Sequence, residues 1–173
     1  VTTTYGYNAA GDLSTMDYSD STADVTNTFD RRGRVIQVAG TSTSSAIFDD
    51  AGNLLSEAFT AGPLSGLTLT NRYDSLLRRT NVVLQNSTTS LLQHAYAHDS
   101  ASRLSSVTFG TNSATYAYLT NSALVDNVVF KNGATTRMTT SNRYDNLNRL
   151  TLKDSRTGVS PVSSFNYAYN SAN

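Results

Sequence analysis

Residues 144–151 read YDNLNRLT and residues 73–80 read YDSLLRRT. Two near-identical octapeptides about seventy residues apart ask whether one unit builds the whole chain, a question that precedes any other reading of the fold. Further copies are present. They are YNAAGDLS from Tyr7, FDRRGRVI from Phe29, FDDAGNLL from Phe48 and HDSASRLS from His98. A degenerate copy, YLTNSALV, starts at Tyr118, and a shortened one, YNSAN, at Tyr169. The anchors are 22, 19, 25, 25, 20, 26 and 25 residues apart. A period near 23 fills residues 1–173 and leaves no room for a second domain or a linker, so the expectation is a single array of about eight repeats.

Each position of the unit has a physical reason in a β-hairpin. The first slot is aromatic: Tyr7, Phe29, Phe48, Tyr73, His98, Tyr144. The second is Asn8, Asp30, Asp49, Asp74, Asp99 or Asp145, whose side-chain oxygen can accept hydrogen bonds from the backbone N–H groups ahead of it. The fifth slot needs a left-handed backbone. Gly11, Gly33 and Gly52 adopt it without steric cost, and Asn148 and Asn173 tolerate it. Together these features define a three-residue hairpin loop, a type I turn closed by a left-handed residue in a bulge. Leu77, Ser102 and Ser122 break the rule, and each should cost about 1 kcal/mol or use another turn.

In this register the second slot faces the sixth, and the aromatic faces the seventh. Asp30 meets Arg34, Asp74 meets Arg78, Asp99 meets Arg103 and Asp145 meets Arg149. On the opposite face Tyr7 meets Leu13, Phe48 meets Leu54, His98 meets Leu104 and Tyr144 meets Leu150, because side chains alternate along a strand. An exposed ion pair contributes only about 0–1 kcal/mol, so the turn and a buried apolar pair are expected to dominate. A second aromatic often precedes the first by two residues, as Tyr5, Tyr96, Tyr116 and Tyr167 do, and shares its face. After the motif, Val35 with Val38 and Leu104 with Val107 are spaced by three, which indicates a bulge. The best helical candidate, NSALVDNVV, is rich in Val and lies within the repeat, so it too reads as strand. The expected fold class is all-β: repetitive antiparallel β-hairpins, about fifteen short strands, forming one curled sheet with a Tyr/Leu/Val face and a Ser/Thr/charged face.

Composition agrees and excludes several classes. The chain has 173 residues, enough for a real core, and 13 basic and 13 acidic residues leave no net charge. That balance argues against a nucleic-acid partner held through phosphates. Eleven of the cations are Arg, which suits forked pairing with carboxylates. Ser and Thr number 48, fitting solvated strands and turns. There is no Cys, hence no disulfide framework, and no apolar run near 18 residues, hence no membrane-spanning helix. The first residues, VTTTYGYN, lack the basic and apolar regions of a signal peptide, so an export signal is expected elsewhere in a longer parent.

The copies FDRRGRVIQVAG (29–40), FDDAGNLLSE (48–57) and YDNLNRLTLKDS (144–155) resemble the Rhs/YD, or tyrosine–aspartate, repeats. The resemblance covers essentially the whole chain. The family occurs in bacterial Rhs polymorphic toxins, in shell subunits of insecticidal toxin complexes, in wall-associated proteins and in teneurins. It implies a β-strip spiralling into a hollow shell, which in the toxin members encloses a cytotoxic C-terminal polypeptide. It also implies a secreted or bacterial cell-surface location, with flanking YD repeats of the parent chain as partners. Family shells contain many more than eight repeats, so this array reads as a piece of one. Toxin members carry an Asp-centred self-cleavage segment, usually with an Asp-Pro pair. Here Pro63 and Pro161 do not follow Asp, so no cleavage site is carried over.

The repeat accounts for most residues that suggest chemistry. His98 and Asp99 near many Ser residues suggest a hydrolase, yet they occupy the aromatic and turn slots, and no G-x-S-x-G elbow is present. His94 and His98 on a strand lie about 13 Å apart, too far for one metal. Asp17, Asp20 and Asp24 lack the order of a calcium loop. The basic clusters RRGR, at Arg31 to Arg34, and Arg78 with Arg79 could meet an anionic glycan or phosphate, but Arg34 and Arg78 read more simply as cross-strand partners and the others as solvated turn residues. Asn86 heads an NST sequon, meaningful only in a secreted eukaryotic protein. The expectation is therefore a structural segment of a YD-repeat shell without catalysis or cofactor. The alternative is a carbohydrate- or receptor-binding module stacking its tyrosines on sugar rings.

Overall fold

The computed structural model describes residues 1–87 and 89–170. These form an antiparallel sheet of fifteen strands whose spatial order is the sequence order, with no helix among the described residues. Residue contacts divide the chain into two units, Val1–Gln93 and His94–Asn173.

The first unit holds β1 (Thr3–Tyr7), β2 (Leu13–Tyr18), β3 (Val25–Phe29), β4 (Val35–Ala39), β5 (Thr43–Phe48), β6 (Leu54–Ala61), β7 (Leu67–Tyr73) and β8 (Arg79–Asn86). The boundary between units falls within β9 (Thr89–His98). The second unit continues with β10 (Leu104–Phe109), β11 (Asn112–Tyr118), β12 (Val125–Asn132), β13 (Thr135–Tyr144), β14 (Leu150–Thr157) and β15 (Ser160–Asn166). Each odd strand from β1 to β13 ends on a first-slot residue, and each even strand begins on the residue facing it or next to it. NSALVDNVV supplies the start of β12 rather than a helix, as its β-branched residues require.

Cross-strand pairing follows the expected register. Tyr7 faces Leu13, Phe29 faces Val35, Phe48 faces Leu54, Tyr73 faces Arg79, His98 faces Leu104 and Tyr144 faces Leu150. One residue later the register slips: Tyr144 pairs with Leu150 but Arg143 with Leu152, leaving Thr151 as the extra residue of a bulge. Ile36 and Ser105 are bulged in the same way, which accounts for the three-residue spacings after Val35 and Leu104.

The expectation of a packed core does not hold. No apolar side chain among the described residues is buried; the buried residues are Asn71, Thr140 and Ser155. Thr140 and Ser155 face each other and share a hydroxyl–hydroxyl hydrogen bond of 2.9 Å. Tyr5, Tyr7, Tyr167 and Tyr169, expected on a packed face, are exposed, Tyr7 by 63%. Each strand meets only its sequence neighbours, so within each unit no second layer covers either face. The aromatic and the residue facing it at each turn are accordingly half-covered or exposed, not buried.

An open sheet with one-sided end strands should associate. β1 has a single neighbour, β2, and its residues TTYGY carry no charge or proline to block a further strand. The 173-residue chain should therefore show a mass that rises with concentration by multi-angle light scattering, and Thr4→Lys, placing a charge on that edge, should reduce it. A constant monomer mass from micromolar to millimolar protein would contradict this expectation.

Candidate functional site

The turn end of each hairpin carries the side chains with specific chemistry. The backbone N–H of Asp30 donates to the Arg34 carbonyl at 2.9 Å, and the N–H of Gly33 donates to the Asp30 carbonyl at 3.1 Å. The same two bonds recur at Asn8, Asp49, Asp74, Asp99 and Asp145. This is the type I turn with a left-handed closing residue. Gly11, Gly33 and Gly52 hold φ of 89°, 75° and 93°, while Leu77, Ser102 and Asn148 hold 60°, 63° and 62°. Leu77 and Ser102 thus keep the same turn and bear its torsional cost. The copy at Tyr118 differs. Its left-handed residue is Asn121, not Ser122, and its loop is one residue longer, closing from the Leu119 N–H to the Leu124 carbonyl. Ser122 still donates its N–H to the Leu119 carbonyl, but the left-handed conformation falls one place earlier in the turn, on Asn121, which tolerates it. Asn173, the corresponding residue of the copy at Tyr169, lies outside the described residues, as does Thr88 of the Asn86 sequon.

The second-slot carboxylate uses both oxygens. Oδ1 of Asp30 accepts from the backbone N–H groups of Arg32 (2.8 Å) and Arg34 (3.0 Å), and Oδ2 accepts from Arg34 Nε (2.6 Å). Asp74 with Arg78, Asp99 with Arg103 and Asp145 with Arg149 repeat this arrangement, with Nε–Oδ2 distances of 2.8, 2.7 and 2.7 Å. Two copies keep the geometry with different chemistry. The Asn8 amide donates to Asp12 at 3.0 Å, and the Asn53 amide donates to Asp49 at 2.9 Å. The ion pair is therefore one way of joining slots two and six, and the backbone-accepting oxygen is common to the six copies with Asp or Asn in slot two, while the Tyr118 copy has Leu119 there and closes without it. The backbone N–H of the residue four ahead is the largest cause holding Asp30, Asp99 and Asp145 below the ordinary carboxylate pKa. For Asp74 it is the Arg78 side chain, and for Asp49 the Asn53 side chain.

Three of the turns are also joined to the next by arginine. The Arg34 guanidinium lies 4.5 Å from the centre of the Phe48 ring, Arg103 lies 4.3 Å from Tyr118, and Arg149 lies 4.5 Å from Tyr169. Contacts of this kind contribute about 0.5–1 kcal/mol each when partly exposed. The guanidinium NH1 of Arg34 also donates to the Asp49 carbonyl, and that of Arg103 to the Ser122 carbonyl, both in the following turn. The expected separation of charged and aromatic faces thus fails at the turn ends. There Arg34, Arg103 and Arg149 lie against the ring of the next repeat, beside a bulge, where local twist is increased.

A second joint was not read from the sequence. Backbone pairing between successive repeats stops short of the seventh slot: β6 pairs with β7 only through Ser56, Glu57 and Ala58, leaving the Leu54 carbonyl beyond the ladder. Two side chains of the next repeat cap it, the Asn71 amide at 3.0 Å and the Tyr73 hydroxyl at 3.2 Å. Val125 receives Asn142 and Tyr144 in the same way, both at 2.9 Å. Tyr118 caps Leu104 at 2.7 Å, Tyr169 caps Leu150 at 2.8 Å, and Asn27 caps Leu13 at 3.0 Å. A carbonyl has two lone pairs and is costly to leave unpaired when water is excluded. This is why the first slot is so often Tyr rather than Phe. The recurring TNTFD, TNRYD and SNRYD, with Asn two residues before the aromatic, carried the signal.

The other candidates have local partners. His98 faces Leu104, and its neighbour Asp99 is engaged by Arg103. The His94 ring stacks on Phe109, with centroids 5.0 Å apart. Asp20 accepts from the Thr22 N–H and Asp24 from the Tyr18 N–H, and no group of three metal-ligating side chains occurs among the described residues. Arg32 donates to the Asp50 carbonyl of the next turn, and Arg79 faces Tyr73. Arg31 has no role that the geometry explains.

No family model and no curated protein matches the chain in sequence. Among solved structures, the crystal structure of TcdB2-TccC3-Cdc42 is similar with a TM-score of 0.51 at 12% identity, over 92% of this chain and 11% of that one. A porin-like protein from Bacteroides uniformis ATCC 8492 gives a TM-score of 0.46 at 12% identity, over 94% of this chain and 86% of that one. At such identity the first is a likeness of fold alone, and the second carries no argument. The present chain spans about a ninth of the TcdB2-TccC3-Cdc42 chain it matches.

Two outcomes follow for stability. Leu77→Gly and Ser102→Gly should each raise unfolding free energy in urea by about 0.5–1 kcal/mol, the relief of left-handed strain less the greater unfolded-state freedom of Gly; a loss on both substitutions would refute the strain assignment. The turn carboxylates have folded pKa values below their unfolded value of about 3.9. Their contribution is thus full well above pH 4 and is lost as pH falls through the folded values. Melting temperature should hold between pH 7 and about pH 5 and drop steadily below pH 4, whereas a flat profile down to pH 2.5 would show that these groups do not stabilise the fold.

Proposed function

We propose that this chain is a structural repeat segment of an Rhs/YD-repeat shell, without catalysis of its own. In the parent protein it would curl with flanking repeats around a polypeptide, such as a toxin, or display a domain at a bacterial cell surface. The observation that carries this reading is the hand-off between turns. Arginine of one repeat lies over the aromatic ring of the next, and the tyrosine of that next repeat caps a carbonyl of the one before. Such reciprocal joints hold successive hairpins at a fixed spacing, which a wall built by repetition requires. The fold likeness to TcdB2-TccC3-Cdc42 is compatible with it.

The carbohydrate-binding alternative has less support. A tyrosine that stacks on a sugar needs a free face and gains from a free hydroxyl. Tyr118 and Tyr169 have one face under arginine and their hydroxyls on backbone carbonyls. Among the described residues, the exposed tyrosines free of such contacts are Tyr5, Tyr7 and Tyr167.

The test is protease protection in the natural polypeptide that carries this array. With intact turns, sequences outside the array but inside the shell should resist protease. Replacing Asp74, Asp99 and Asp145 together by Ala should open the wall and expose them. Equal cleavage in both proteins would overturn the shell reading. Glycan-array binding by the 173-residue chain, abolished by Tyr5→Ala and Tyr116→Ala with circular dichroism unchanged, would establish the alternative instead.

A further inference from the structure

The second unit carries a feature that the repeat does not explain. A hollow of about 300 Å³ opens on one face of β9–β13. Its floor is aromatic and apolar: His94 and Phe109, stacked at 5.0 Å with their planes 23° apart, together with Ala114 and Phe130. Arg137 and Lys131 complete the lining, and no carboxylate takes part. Lys131 follows Phe130 in β12 and pairs with Ser113, so alternation directs its side chain to the other face. Neither cation has an ion pair among the described residues.

Arg137 reaches this face because of a bulge outside the turn motif. Phe130 pairs with Met138 and Lys131 with Thr136, so Arg137 is the extra residue on its strand. Strict alternation would direct a residue between Thr136 and Met138 away from the Phe130 face, and a bulge re-aims such a side chain. The hollow of the first unit provides a contrast. It has a comparable floor that includes Val35, Val38, Phe48 and Leu54, but its one charged lining residue is Glu57.

We propose that the hollow on β9–β13 binds an aromatic carboxylate, with the ring against Phe109, Phe130 and His94 and the carboxylate on Arg137. An apolar floor selects a flat, hydrophobic body, and an unopposed guanidinium selects an anionic end. A carboxylate can be received side-on by the guanidinium fork. The inference is independent of the shell reading, since it rests on one face of one unit and not on the turns.

The test is titration of the 173-residue chain with 1-naphthoate, followed by NMR chemical shifts and calorimetry. Saturable binding with shifts at His94, Phe109 and Phe130 is expected. The uncharged 1-naphthylmethanol should bind more weakly, and Arg137→Gln should weaken 1-naphthoate about two- to fivefold, as expected of an exposed charge. Arg137 and Lys131 are both exposed, so circular dichroism should be unchanged in Arg137→Gln and Lys131→Gln. Lys131→Gln, on the other face of β12, should have no effect. N-acetylphenylalanine and a peptide ending in a Phe carboxylate separate a free acid from a chain terminus, and tighter binding of either supports the shared chemistry. Equal affinity for the neutral alcohol, indifference to Arg137→Gln, equal shifts at the Val35–Phe48 hollow, or no saturation at millimolar ligand would each overturn the proposal.

Discussion

One oxygen sets the rest of the structure: Oδ1 of the second-slot Asp or Asn. By accepting the N–H groups two and four residues ahead, as Asp145 does from Leu147 and Arg149, it shapes the turn before any partner strand is in place. The turn then imposes the register, and the register delivers the sixth and seventh slots to their positions. The ion pair with arginine is secondary, because Asn8–Asp12 and Asp49–Asn53 build the same turn without it. What arginine adds is reach. Its guanidinium remains near its own carboxylate while lying over a ring of the following repeat.

Local turns joined to their neighbours produce a sheet that needs no buried apolar layer to define its register. Capped carbonyls, bulges at matching positions and arginine–ring contacts fix the spacing of adjacent hairpins. The faces stay open, with Phe109 and Phe165 among the exposed residues. That openness is what allows the β9–β13 hollow to exist at all, and it leaves unpaired edges whose association must be managed by whatever surrounds them.

Much of this was legible in the sequence. The period, the all-β class, the turn type, the aromatic register and the Asp–Arg pairing all follow from local backbone preferences of Asp, Asn and Gly, and such preferences act within five residues. The bulge after the motif was legible from the spacing of Val35 with Val38. Three features were not. The buried core expected from chain length is absent, because length does not say whether sheets stack. The left-handed residue of the Tyr118 copy is Asn121, because the longer loop uses a turn whose left-handed residue comes one place earlier. The capping of seventh-slot carbonyls by Asn and Tyr joins residues up to 19 apart, a distance at which no local rule operates.

By itself the sequence determined the hairpin and its repetition, since a turn is closed by atoms that are neighbours along the chain. Only the tertiary structure decided how one hairpin grips the next and which side chains share a face away from the turns. Those contacts depend on where pairing between strands stops, as at Leu54, and where an unscheduled bulge such as Arg137 turns a side chain over. Both depend on the alignment of strands far apart in sequence, which composition and spacing leave open.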